Sequence, residues 1–62
     1  MFNNDLYTIM MCGTVFGRFI NEEEAISYAK RLARRSKHEV RIYRYDHIWI
    51  ISIDGKVACF CR

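Results

Sequence analysis

The segment Ile-Trp-Ile-Ile-Ser-Ile at residues 48–53 limits the fold more than any other stretch of the chain. It is rich in the β-branched and aromatic residues that fit a pleated strand. A strand with one side in water alternates apolar with polar residues, whereas this one is apolar on both sides and so demands cover on two faces. The rest of the chain offers one helix to provide it. Only residues 22–36 carry a helical period, with Ala25, Ile26, Tyr28, Ala29, Leu32 and Ala33 in one stripe and Ser27, Lys30, Arg31 and Arg34 opposite. Asn21 stands at the N-cap, with Glu24 at the capping-box position three residues on. Glu22, Glu23 and Glu24 set negative charge at the positive end of the helix dipole, and the Arg/Lys cluster lies at the other end.

Four further strands read from the pattern: residues 6–11 (LYTIMM), 15–19, 40–45 (VRIYRY) and 57–61 (VACFC). Cys12-Gly13-Thr14 is a turn between the first two, and Gly17 marks a bulge or a close backbone approach. Asp54-Gly55 reads as a two-residue hairpin turn, and Asp46-His47 as a weaker one. The expected fold class is α+β: a small antiparallel sheet with one amphipathic helix on one face, order ββαβββ, in a single domain over residues 1–62. Two-residue loops would set Val40, Ile42, Trp49, Ile51, Ile53, Ala58 and Phe60 under the helix. The opposite face would then carry Arg41, Tyr43, Tyr45, Ile48, Ile50, Ser52, Val57, Cys59 and Cys61. Within it, Tyr43, Tyr45, Ile48 and Ile50 form a surface for a second copy of the chain or for a partner protein, unless the first hairpin folds across them.

Composition sets the class. At 62 residues the domain is near the lower size limit for folding unaided. A hydrophobic content of 52%, with no proline, is too apolar for intrinsic disorder. No apolar run approaches the ~20 residues that cross a bilayer, so no membrane association is expected. Residues 1–5 lack the basic n-region of a secretory signal, and the start at Met1 without a tag leads us to expect a complete gene product. Cys12, Cys59 and Cys61 cannot all pair within one chain, which points to reduced thiols in a cytoplasmic setting.

No chemistry-bearing constellation stands out. Cys59 and Cys61, with Cys12, His38 and His47, could in principle fill a tetrahedral zinc site, but no ligand pair has a recognisable spacing and packed thiols are the expectation. No nucleophile is placed to pair with either histidine, and a chain this short lacks room for a substrate-burying pocket. We therefore expect no catalytic residues, no metal and no cofactor.

The net charge of +3 is unevenly placed. Lys30, Arg31, Arg34, Arg35, Lys37, Arg41 and Arg44 crowd one quarter of the chain against the single acid Glu39, a patch suited to an anionic surface. Arg41, Tyr43, Arg44 and Tyr45 also interleave base with aromatic, as both nucleic-acid-binding sheets and protein hot spots do. The expectation is a non-enzymatic, stand-alone protein that docks on a larger protein or nucleoprotein complex and modulates or inhibits it, with self-association through the sheet face. Small phage and mobile-element inhibitors of CRISPR and other host defences work in this way, an analogy of size and solitary domain alone. The alternative is a small basic nucleic-acid-binding protein that uses the helix face and the Arg/Tyr strand.

Overall fold

Cys12 and Gly13 both hold positive φ, 53° and 78°. This is the backbone of a tight two-residue turn whose twist matches that of the strands it joins. In the computed structural model, which describes residues 6–61 and only the backbone of Cys61, that turn links β1 (Tyr7–Met11) to β2 (Thr14–Phe19). The sequence readings at residues 1–5 and at the Cys61 thiol lie outside the described residues. Then follow α1 (Glu22–Ser36), β3 (Val40–Arg44), β4 (His47–Ile51) and β5 (Val57–Cys61). The α+β order ββαβββ is as expected. All pairings are antiparallel, in the order β2-β1-β3-β4-β5.

The helix forms where its signals stand. Asn21 Oδ1 accepts from the Glu23 and Glu24 amides at 2.8 and 3.3 Å. The far end closes with Lys37 in the left-handed region at φ 58°, its N–H donating to the Ala33 carbonyl at 2.8 Å. Between the caps, Ala25, Ala29 and Ala33 are fully buried, one above the other at helical spacing. Their small side chains let the helix settle onto Ile9, Val40, Ile42 and Ile51, also fully buried. Burying each of those aliphatic side chains contributes about 1.5–3 kcal/mol. Tyr7 and Trp49 close one end, with ring centroids 5.5 Å apart. Phe19 and Tyr28, 5.2 Å apart, pack at the margin.

Three features bear on the sequence reading: the first settles an alternative that it left open, and the other two depart from it. The first hairpin does not fold across the sheet; β1 inserts beside β3 through Ile9↔Ile42, and β2 becomes an edge. The register of β1 with β2 slips between Ile9↔Gly17 and Met10↔Val15, which leaves Phe16 as the extra residue of a bulge beside Gly17, where the sequence placed a bulge or a close approach.

The second feature is the turn from β3 to β4, which uses Tyr45-Asp46 instead of Asp46-His47. Tyr45 takes φ 53° there, so it sits in the turn and not on the open face.

The third lies between β4 and β5. Gly55 N–H donates to Ser52 O, and Ser52 N–H donates to Lys56 O, both at 2.9 Å. These bonds enclose a three-residue loop, Ile53-Asp54-Gly55, with Gly55 at φ 90°. One residue more than the expected Asp54-Gly55 turn reverses every side chain of β5. Val57 and Cys59 therefore stand at helix-side positions, paired with Ile51 and Trp49, while Ala58 and Phe60 stand on the open face. Ile53, expected in the core, is half exposed in the loop.

The first turn offers a test. Left-handed backbone is strained for cysteine and tolerated by asparagine, so Cys12→Asn should stabilise the domain by about 0.5–1 kcal/mol. In a chain of this size that raises the melting midpoint by a few degrees, measured by circular dichroism. An unchanged or lowered midpoint would count against the turn.

Candidate functional site

Strand alternation and the pairing registers build a two-row surface on the side of the sheet away from the helix. One row runs Arg18, Thr8, Tyr43, Ile48, Phe60 across all five strands. The other runs Val15, Met10, Arg41, Ile50, Ala58. Among the described residues no element lies over them, and Phe60 is 56% exposed. Tyr43, Ile48 and Ile50 are half-buried, and Thr8 is buried. The surface thus contains three of the four sheet-face residues expected from sequence, Tyr45 being in the turn. It adds Met10, Val15, Arg18, Ala58 and Phe60, which strand order and the β4–β5 loop bring in.

No acid lies in either row. The nearest, Glu39, accepts from Arg41 at 3.4 Å, both side chains about half exposed. The Arg41 guanidinium is pushed above its ordinary value, first by Tyr43 beside it and then by the Glu39 carboxylate. It therefore presents a fixed positive charge in the middle of an apolar platform. Beside it Met10, Met11, Cys12, Gly13, Glu39, Arg41 and Tyr43 line an open hollow of about 350 Å³.

The basic residues that crowd the sequence do not form one patch. Lys30, Arg31, Arg34, Arg35 and Lys37 are exposed along the helix and at its C-terminal end. Arg34 Nη2 reaches to 3.9 Å from the position a Gly55 Cβ would take. Arg41 is on the opposite side of the sheet. Arg44 lies apart again, its guanidinium 4.8 Å from the Tyr7 ring centroid and 5.0 Å from that of Tyr45. Its Nε is buried with no hydrogen-bond partner, so cation–π contact with the two rings is what holds it. Tyr7 in turn donates to Glu22 Oε1 at 3.3 Å, which ties this stack to the first turn of the helix.

Cys12 and Cys59 are free and exposed. His47 stacks on Trp49, with centroids 5.8 Å apart and planes at 28°, and His38 is exposed after the helix. Among the described residues no three His, Cys, Asp or Glu side chains gather where they could hold a metal. No helix is long and apolar enough to cross a membrane.

The two kinds of arginine respond differently to truncation. Arg44→Ala should cost about 1–2 kcal/mol, through lost cation–π contact and lost cover over Tyr7, and lower the melting midpoint. Arg31→Ala with Arg34→Ala should leave the midpoint within about a degree, since surface changes are usually near neutral. Equal effects in thermal melts would contradict this division. Compared with protein-family models, with curated proteins and with solved structures, the chain matches none.

Proposed function

We propose that this chain is a non-enzymatic binding protein that docks through its open sheet face on a larger protein and alters that protein by occupying its surface. One observation carries the reading: a five-stranded sheet leaves Met10, Tyr43, Ile48, Ile50 and Phe60 together on a face that no described element covers, with Arg18 and Arg41 among them. Tyrosine, arginine and methionine are the residues enriched at interface centres, where burial of aromatic area and pairing of a fixed cation supply most of the affinity. The absence of acids from both rows favours an apolar partner surface with carboxylates opposite the two arginines. The basic helix is the second contact surface and faces the other way, so it suits an acidic neighbour in a larger assembly. The unpaired thiols of Cys12 and Cys59 fit a reducing, cytoplasmic compartment.

A second reading, direct nucleic-acid binding, draws support from Tyr43 and Phe60 beside Arg18 and Arg41, a stacking-plus-cation arrangement. It is weakened by the division of the basic residues between two sides of the sheet.

The decisive variant is Ile50→Glu, which sets a charge at the centre of the open face without touching the core. Protein partners captured from nuclease-treated lysate by the wild type should be lost, a fall of at least about tenfold or 1.4 kcal/mol, while circular dichroism and melting stay unchanged. Undiminished capture by a folded Ile50→Glu protein would end this reading. Arg31→Glu with Arg34→Glu should also keep the fold and weaken binding about tenfold, mainly through slower association, with raised salt acting on the wild type in the same direction. For the second reading the probe is a generic DNA or RNA oligonucleotide. Its affinity should fall steeply with salt if phosphates are the target, and should be negligible if a protein is.

A further inference from the structure

The sheet has two edges, and they are built differently. The β2 edge is bulged at Phe16, contains Gly17 and carries Arg18, devices that discourage pairing. The β5 edge has none of them. Val57–Cys61 holds no charge, glycine or proline and pairs with β4 in unbroken register. The helix packs against β1, β2, β3 and β4 but not β5. Both sides of this strand are consequently bare: Val57 is 41% and Phe60 56% exposed, and Ala58 and Cys59 are exposed as well. The Ser52–Lys56 hydrogen bond fixes the phase of the ladder. By antiparallel alternation the N–H and C=O groups of Lys56, Ala58 and Phe60 turn toward β4, and those of Val57, Cys59 and Cys61 turn outward. No described strand takes up that outer row.

We infer that β5 pairs antiparallel with β5 of a second copy of the chain, joining two five-stranded sheets into one across a two-fold axis at Cys59. The strand is complementary to itself in that register. Val57 comes opposite Cys61 of the other copy and Cys59 opposite its own equivalent, so every outward donor and acceptor of β5 finds a partner. On the open face Ala58 comes opposite Phe60, and Phe60 opposite Ala58, a small side chain beside a large one at both sites. The apolar row of each copy then runs on into the other. No charge is buried, because Val57–Cys61 itself holds none. A five-residue strand pair is at the small end of stable interfaces, so the dimer should dissociate in the micromolar range. Since like charges flank the seam, added salt should strengthen this association, the reverse of its effect on contacts made by the basic helix.

Sedimentation equilibrium in reducing buffer, from about 10 µM to 1 mM, reads the dimer directly. The weight-average mass of the wild type should climb from 7.5 kDa toward twice that value. Cys59→Lys places like charges face to face on the axis and lies away from both the helix and the open face, so it should weaken dimerisation at least tenfold with melting unchanged. Should that variant misfold, Cys59→Pro serves instead, because it removes only an outward N–H and leaves the β4 ladder intact. A short bis-maleimide should link copies that keep Cys59 as their one thiol (Cys12→Ser, Cys61→Ser) and fail to link copies that keep only Cys12. A wild type that stays at 7.5 kDa throughout overturns the inference. So does a dimer that survives Cys59→Lys and disappears in Ile50→Glu, which would place self-association on the open face and leave the proposed docking surface standing.

Discussion

Width governs this structure. An α-helix with its side chains is about 10–12 Å across, whereas five strands at about 4.8 Å spacing set the outer two about 19 Å apart. One helix cannot roof such a sheet on even one face, let alone two. The alanines at positions 25, 29 and 33 bring α1 close to the middle of the sheet, over Ile9, Val40, Ile42 and Ile51, where contact is most profitable. Among the described residues no element covers β5 or lies over the reverse face of the sheet, although Thr8 on that face is itself buried.

The core is correspondingly small, and its ends are sealed by polarisable groups. At one end Tyr7 touches Trp49, lies under the Arg44 guanidinium and donates to Glu22 at the start of the helix. A single tyrosine thus couples β1, β3, β4 and α1. Arg44 belongs to that seal, although in the sequence it is one more member of a basic cluster. Its neighbour Arg41, three positions earlier, faces the other way because strand alternation turns odd steps to opposite sides.

What the sequence disclosed, and what it hid, follows from the range of the forces involved. The helix, its Asn21 cap and its buried stripe are local properties and could be read directly. So could the common side of Val40, Ile42, Trp49 and Ile51: moving the β3–β4 turn by one residue shifts the register by two and preserves the face. The side chains of β5 were misassigned because the alternatives differ by one loop residue, and Gly55 serves a two-residue turn and a three-residue loop equally well. The contributions of Met10, Arg18 and Val15 to the open face were hidden for another reason. They depend on β1 lying between β2 and β3, a long-range pairing that no periodicity encodes. A contiguous run of arginines likewise promised one surface, and the fold divides it among three.

The placement of β1 bears on how the chain assembles. Two hairpin-connected pieces, β1–β2 and β3–β4–β5, have short loops and can close on the microsecond scale, but neither alone buries both sides of its apolar residues. They meet only when Ile9 finds Ile42, across an intervening hairpin arm and the entire helix. That closure has the highest entropic cost in the molecule and sets its topological complexity. During synthesis β1 is made first and completed late, with Tyr7, Ile9 and Met11 unsheltered until β3 emerges. An interior strand of the finished sheet, β1, is therefore the one most exposed to misassociation while the chain is being made.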